Sequence, residues 1–256
     1  MRRLILAILL LAPLASYADD CQYQAPRNLT LDLQGVREVE VDLHSYDLHL
    51  SGASGSGGIV TGRACASDPK LLDDLTVTQR REGDRLIVEV GGRSHINISL
   101  FGHSSTSLKL DMQVPVQMPV VLNIGSGDAW AMGLQRLSTQ VGSGDLHVSK
   151  IAGPLALSVG SGDIDANDVG SLDAGSIGSG DLKVNGVRGD ARVGSIGSGD
   201  VGLRNVSGNV RVDTLGSGDL VVRDVQGDLT LGAKGSGDVS HSGIKGKVSV
   251  PHDRDD

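Results

Sequence analysis

Gly197-Ser198-Gly199-Asp200-Val201-Gly202-Leu203-Arg204-Asn205-Val206-Ser207-Gly208-Asn209-Val210-Arg211-Val212-Asp213-Thr214-Leu215 is followed at Gly216 by a fresh copy of its own opening tetrapeptide. Gly-Ser-Gly-Asp recurs at 125, 142, 160, 178, 197, 216 and 235, at spacings of 17, 18, 18, 19, 19 and 19 residues. Stacked on the tetrapeptide, the residue after each Asp is apolar: Ala129, Leu146, Ile164, Leu182, Val201, Leu220 and Val239. Five residues further on, the column Leu134, Ile151, Val169, Val187, Val206, Val225 and Ile244 is apolar too. A second segment of period two follows in most copies, as in Val210-Arg211-Val212 and Leu229-Thr230-Leu231, and alternation of period two means strands. A second glycine turn separates these strands, at Gly153, Gly170, Gly189, Gly208, Gly227 and Gly246. A unit this short cannot bury its own apolar face, so each strand must pair with its equivalent in the next copy. The chain is therefore expected to be all-β, a right-handed parallel β-solenoid (β-helix) with 17–19-residue rungs. Seven rungs at ~4.8 Å give a rod on the order of 34 Å long.

Residues 27–124 alternate in the same way without the tetrapeptide, for example in Val39-Glu40-Val41-Asp42-Leu43, Leu86-Ile87-Val88-Glu89-Val90 and Ile96-Asn97-Ile98. Their irregular spacing, with a Pro69-containing stretch from Ser67 to Asp74 and the segment 91–107, suggests imperfect rungs with loops or a β cap on the solenoid. Val114-Pro115-Val116-Gln117-Met118-Pro119 marks the entry to the regular rungs, because each Pro removes a ladder donor. The expected organisation is a leader at 1–18, an N-terminal β region at 19–124, the regular solenoid at 125–250 and a polar tail at 251–256 that discourages end-to-end pairing.

Arg2 and Arg3 precede an apolar run from Leu4 to Leu14, and Ser16-Tyr17-Ala18 supplies small residues where a signal peptidase reads. This pattern predicts export and cleavage after Ala18, leaving a periplasmic, cell-surface or extracellular chain without a transmembrane segment. Ala18-Asp19-Asp20-Cys21 lacks the small apolar residues of a lipoprotein signal, so no lipid anchor is expected. Cys21 and Cys65, the only two cysteines, are expected to form one disulfide in an exported chain. The full sequence of 256 residues carries 37 Gly and only five aromatic residues, Tyr17, Tyr23, Tyr46, Phe101 and Trp130, which excludes a core built on aromatic side chains. Its formal net charge of -8 argues against nucleic-acid binding.

With the repeat in view, the chain resembles the bacterial putative-adhesin family of secreted β-strand-repeat proteins. The matching residues are Val114-Pro115 and the seven Gly-Ser-Gly-Asp copies. The resemblance implies the solenoid fold and a head domain of adhesin type, whose partner is a cell-surface or envelope component.

The seven Asp of the repeat, Asp128, Asp145, Asp163, Asp181, Asp200, Asp219 and Asp238, would form a column of like charges. Neighbours ~4.8 Å apart repel by roughly 0.9 kcal/mol in water before screening. Each carboxylate is expected to accept backbone N–H bonds within its own turn and stay solvated. The alternative is a cation ladder, with Ca2+ as cofactor. Calcium-binding rolls, however, place Asp two residues beyond glycine every nine residues, and calcium needs six to eight oxygens. No cofactor is therefore expected. His44, His49, His95, His103, His147, His241 and His252 are scattered, and no catalytic motif occurs, so the chain is expected not to be an enzyme. His44 and His49 read as surface strand residues and His241 as part of a fraying last rung. Trp130 reads as a cover on one end of the core, with a sugar-stacking platform as the alternative. The leading reading is a non-catalytic exported solenoid acting as an adhesin-like or envelope interaction module. A periplasmic structural or stress-related protein is the alternative, and a calcium-stabilised roll or polysaccharide-active enzyme comes last.

Overall fold

The computed structural model describes residues 21–91 and 105–251. The expected leader, the strand Ile96-Asn97-Ile98, His95, His103, His252 and the tail beyond Pro251 lie outside the described residues. In chain order the elements are β1 (Tyr23–Pro26), β2 (Leu29–Leu31), β3 (Glu38–Leu43), β4 (Asp47–Ala53), β5 (Gly58–Ala66), α1 (Pro69–Asp74), β6 (Val77–Glu82), β7 (Arg85–Val90) and β8 (Thr106–Pro115). There follow β9 (Val120–Ile124), β10 (Ala129–Met132), β11 (Leu137–Val141), β12 (Leu146–Val159), β13 (Ile164–Ile177), β14 (Leu182–Val187), β15 (Ala191–Ile196) and β16 (Val201–Val206). The last are β17 (Val210–Leu215), β18 (Leu220–Val225), β19 (Leu229–Lys234), β20 (Val239–Ile244) and β21 (Val248–Ser249).

Parallel pairing assembles these strands into a β-solenoid of about 7 turns with rungs of about 19 residues. One ladder stacks β8, β4, β10, the first halves of β12 and β13, then β14, β16, β18 and β20. The other stacks β7, β3, β9, β11, the second halves of β12 and β13, then β15, β17, β19 and β21. The tetrapeptide turns the chain from the second ladder into the first, and the second glycine turn brings it back. Alternate side chains point inward and stack on themselves: Val201, Leu203 and Val206 pair in register with Leu220, Val222 and Val225, all buried. The one buried polar residue among those described is Thr139, whose hydroxyl donates to the Leu122 carbonyl at 2.9 Å.

The N-terminal half proves to be both rung and cap, because the chain order and the stacking order differ. β3 and β4 form a rung that stacks directly on β9 and β10. The corner between them is His44-Ser45-Tyr46-Asp47, which occupies the tetrapeptide's place: Leu48 pairs with Ala129, so Asp47 lies beside Asp128. After Ala53 the chain leaves the coil. β5 runs antiparallel along β8, β1 and β2 run antiparallel along β5, and the β6–β7 hairpin covers the end of the other ladder. Only at Val116 does the chain rejoin the coil, its N–H donating to Ala53 (3.1 Å) and its carbonyl accepting from Gln135 (2.9 Å). His44–Ala53 and Val116–Ile124 together supply the nineteen residues of one rung, interrupted by the excursion 54–115. The two prolines thus mark the re-entry step, where Pro115 ends β8 and Pro119 precedes β9.

Within the excursion, the Pro69 stretch is a short helix rather than a loop. Asp68 caps it by accepting from the Lys70 N–H at 2.8 Å, with Pro69 in the first turn. Arg27 donates to the carbonyls of Leu72 (2.6 Å) and Leu75 at its other end. Cys21 and Cys65 are joined, with their Cα atoms 5.3 Å apart, which ties the chain ahead of β1 to β5.

Candidate functional site

Seven equivalent carboxylates at one corner pose the first question of chemistry, and the hydrogen bonds answer it. Through the corner the backbone N–H groups donate toward the preceding rung: Gly216 to Ile196 at 2.7 Å, Ser217 to Gly197 at 2.8 Å. Past the corner the direction reverses, and Leu220 donates to Asp238 of the following rung at 2.9 Å. The N–H at the reversal, that of Asp219, therefore meets no backbone carbonyl. Asp200 supplies the missing acceptor, Oδ1 at 2.8 Å. The same bond runs from Asp145 to Asp128, Asp163 to Asp145, Asp181 to Asp163, Asp200 to Asp181 and Asp238 to Asp219, at 2.9–3.2 Å. The carboxylates thus bond the next rung, not their own turn, and lock successive rungs in register.

The second corner contains an equivalent that pattern reading overlooked. There the Asn209 N–H donates to Asp190 (2.7 Å), that of Asp228 to Asn209 (2.9 Å) and that of Lys247 to Asp228 (2.7 Å). Pro154 stands at this position two rungs before Asp190 and needs no acceptor, having no N–H. The clue lay in the residue after each second-turn glycine.

Because Asn209 does at one corner what Asp does at the other, a carboxamide should serve in the Asp column. Asp200→Asn is expected to keep or slightly raise the urea midpoint at low ionic strength, since it retains the acceptor and removes repulsion. Asp200→Ala is expected to lose about 1 kcal/mol by stranding the Asp219 N–H. Equal midpoints for Asn and Ala variants would remove the hydrogen-bond role. Among the described residues no group of three or more His, Cys, Asp or Glu is placed to hold a metal.

The outward positions of the first ladder change in chemistry from rung to rung. The residues in register on successive strands read His49, Trp130, His147, Asp165, Lys183, Gly202, Val221 and Ser240, one above the other. Trp130 lies between His49 (ring centroids 4.5 Å apart) and His147 (5.7 Å), so it points outward and does not cover an end of the core. With both ring faces occupied it offers no platform for a sugar. Farther along the same face the column falls away to Gly202, and a groove of about 820 Å³ opens across successive rungs. Its charged lining is Asp165, Asp181, Asp200, Asp219 and Asp224 against Lys183, Arg204 and Arg223, so acids outnumber bases.

Among the described residues, the remaining histidines do not converge. His44 sits in the corner after β3 rather than on a strand, its Nδ1 3.1 Å from the Val90 carbonyl. His241 is exposed in the column where Leu203 and Val222 are buried, at the end of the described stack. On the second ladder's outer face, the hydrogen bond from Arg192 (2.8 Å), with help from Arg211, holds the Asp213 carboxyl below the usual carboxylate range. Hydrogen bonding to Glu89 likewise raises Arg80, and the charge of Glu38 raises Arg85. Arg80 and Arg85 are exposed and Asp213 is half-buried, and all three belong to surface ion pairs.

The family model described as "Putative auto-transporter adhesin, head GIN domain" matches residues 64–244. No curated protein matches the chain. Among solved structures it is similar to a putative adhesin from Parabacteroides merdae, at 16% identity and a TM-score of 0.53, covering 90% of this chain and 97% of that one. A putative adhesin from Bacteroides fragilis aligns at 13% identity and a TM-score of 0.49, covering 90% and 98%. A putative lipid binding protein from Parabacteroides distasonis aligns at 18% and 0.48, covering 88% and 97%.

Proposed function

The chain belongs to the family described as putative auto-transporter adhesin, head GIN domain, and from that membership we propose that it is an exported, non-catalytic β-solenoid that binds a cell-surface or envelope component. The observation that carries this reading is the distribution of its polar groups. An active site gathers an acid, a base or a nucleophile at one point and shifts their pKa values there. Here the corner acids recur one per rung and are spent on rung-to-rung hydrogen bonds, while the shifted groups belong to surface ion pairs. What remains along the rod is an extended outer surface whose side chains are in register but differ in chemistry from rung to rung, which suits recognition of an extended partner. The amino-terminal sequence supports export, and the disulfide supports an oxidising compartment. No metal ion enters this reading.

The test is protease accessibility of an epitope-tagged copy in intact cells and in cells with a permeabilised outer envelope, using a protease shown to cut the purified folded protein. Digestion in intact cells is expected. Protection that is lost only on permeabilisation would overturn the adhesin-like role and leave a structural partner inside the envelope.

A further inference from the structure

Asp42 is the exception among the acids at the capped end of the second ladder. Together β3, β6 and β7 carry five acids and three arginines, so this end of the face is acidic. Glu38 and Glu40 pair with Arg85, and Glu82 and Glu89 pair with Arg80. Asp42 is half-buried and, among the described residues, has no ion-pair partner. Its Oδ1 accepts from Asn123 Nδ2 at 2.8 Å, but a neutral carboxamide leaves the charge uncompensated. A half-buried carboxylate so placed calls for a cation.

The second observation is the pocket that Asp42 lines, an open hollow of about 380 Å³ where the chain turns from the second ladder into the first. That is the size of a small-molecule site. Its polar walls are Asp42, His44, Asn123 and Gln140, and Gly125 and Gly142 bring no side chain to fill it. Asp42 is its one carboxylate, and neither lysine nor arginine lines it. The walls are rich in free acceptors. Asn123 spends both amide hydrogens, on Asp42 and on Glu40 at 3.1 Å, so its Oδ1 is left to accept. The Val90 carbonyl can only accept, so His44 Nδ1 carries the hydrogen and the neutral ring keeps Nε2 as an acceptor. Gln140, exposed and in register with Asn123, has its carboxamide free.

We infer that this pocket binds an amino sugar through its protonated amino group, the ammonium on Asp42 and the neighbouring hydroxyls on His44 Nε2, Asn123 Oδ1 and Gln140. Donors on the ligand meet acceptors on the protein, and its positive charge meets the one carboxylate of this face end that lacks an arginine. A lysine side chain of a partner fits less well. Its methylene stem needs apolar walls, and the side chains of Leu43, Ile124 and Val141 are turned into the core. This inference names a ligand class for the outer surface that the adhesin-like reading invokes, and it rests on that reading.

Titration calorimetry of the full chain with the 1,4-linked hexamer of glucosamine, and with the hexamer of N-acetylglucosamine as its neutral counterpart, tests it in the presence of chelator. The two probes share a backbone and differ only in the charge on nitrogen. The free amine is expected to bind at least tenfold tighter. Asp42→Asn keeps an oxygen for the Asn123 N–H and removes the charge, so it is expected to weaken the amine at least tenfold and to erase the preference, with the melting temperature at or above wild type. Asp173→Asn, which removes an exposed carboxylate from the same ladder, is expected to bind as wild type does. Equal binding of the two hexamers, binding of neither, wild-type binding by Asp42→Asn, or an equal loss in Asp173→Asn would overturn the site. Adherence of cells carrying these variants separates the two levels. Full adherence with Asp42→Asn sinks the pocket's part in adhesion and leaves the wider reading standing. Amine binding by a protein whose deletion leaves adherence intact sinks the wider reading and leaves the pocket.

Discussion

Gly199→Ala should lower the melting temperature by about 6–12 °C, the effect of roughly 3 kcal/mol in a chain of this size. Gly199 is buried, and a Cβ added to it would overlap the carbonyl oxygen of Gly180 in the rung before. The same collision awaits at Gly144, Gly162, Gly180, Gly218 and Gly237, each against the glycine one rung earlier. At this corner two backbones pass over one another with no room for a methyl group, so the rungs must part or slip, and overpacking of this kind is costly. The damage falls in the middle of a stack whose stability is a sum of neighbour contacts. Gly202→Ala, three residues away, is the control: it meets open space and should melt within about 2 °C of wild type. Thermal unfolding followed by circular dichroism decides the matter, and equal melting of the two variants would remove the steric account of the repeat.

Replacing both Cys21 and Cys65 by Ser should cost about 4 kcal/mol, because the bridge closes a loop across a sequence separation of 44 residues and withholds that freedom from the unfolded chain. The loss falls at the capped end of the rod. β1 has only four residues and, among the described residues, pairs with β5 alone, so without the bridge it should fray first. Urea unfolding of the double variant, and of the wild type under reductant, should give the same lowered midpoint. Reductant should leave the variant unchanged. A variant that unfolds at the wild-type midpoint would show the tether to be without thermodynamic weight.

How much of this was legible beforehand depended on whether a feature repeats. The tetrapeptide, the inward columns and the parallel stack could be read because each rung restates them. So could the left-handed column Gly133, Lys150, Asp168, Gly186, Asn205, Asp224 and Gly243, six of whose seven members are the residue types that tolerate positive φ. It stood one residue before the column that begins at Leu134 and went unremarked. The partners of the Asp carboxylates were misjudged because turn chemistry is local, whereas these bonds reach 17 to 19 residues along the chain. The order of β7, β3 and β9 was hidden for a related reason. His44-Ser45-Tyr46-Asp47 shares only Ser45 and Asp47 with the repeat, and nothing near it announces that its neighbours arrive some 80 residues later. The groove escaped notice because Gly202 looked like one more glycine among 37.

The excursion 54–115 also sets the order in which the molecule can assemble. Beyond β10, each rung closes against one finished fewer than 20 residues earlier, so the stack can grow by short, fast loop closures as the chain emerges. The β3–β4 rung has no such neighbour. Its two edges stay unpaired until β7, β8, β9 and β10 have all been delivered, the longest wait in the chain. During that interval it exposes strand edges of the kind that invite wrong pairing. The slow step in the maturation of this rod should therefore lie at its capped end, and the seven perfect repeats should be waiting for it.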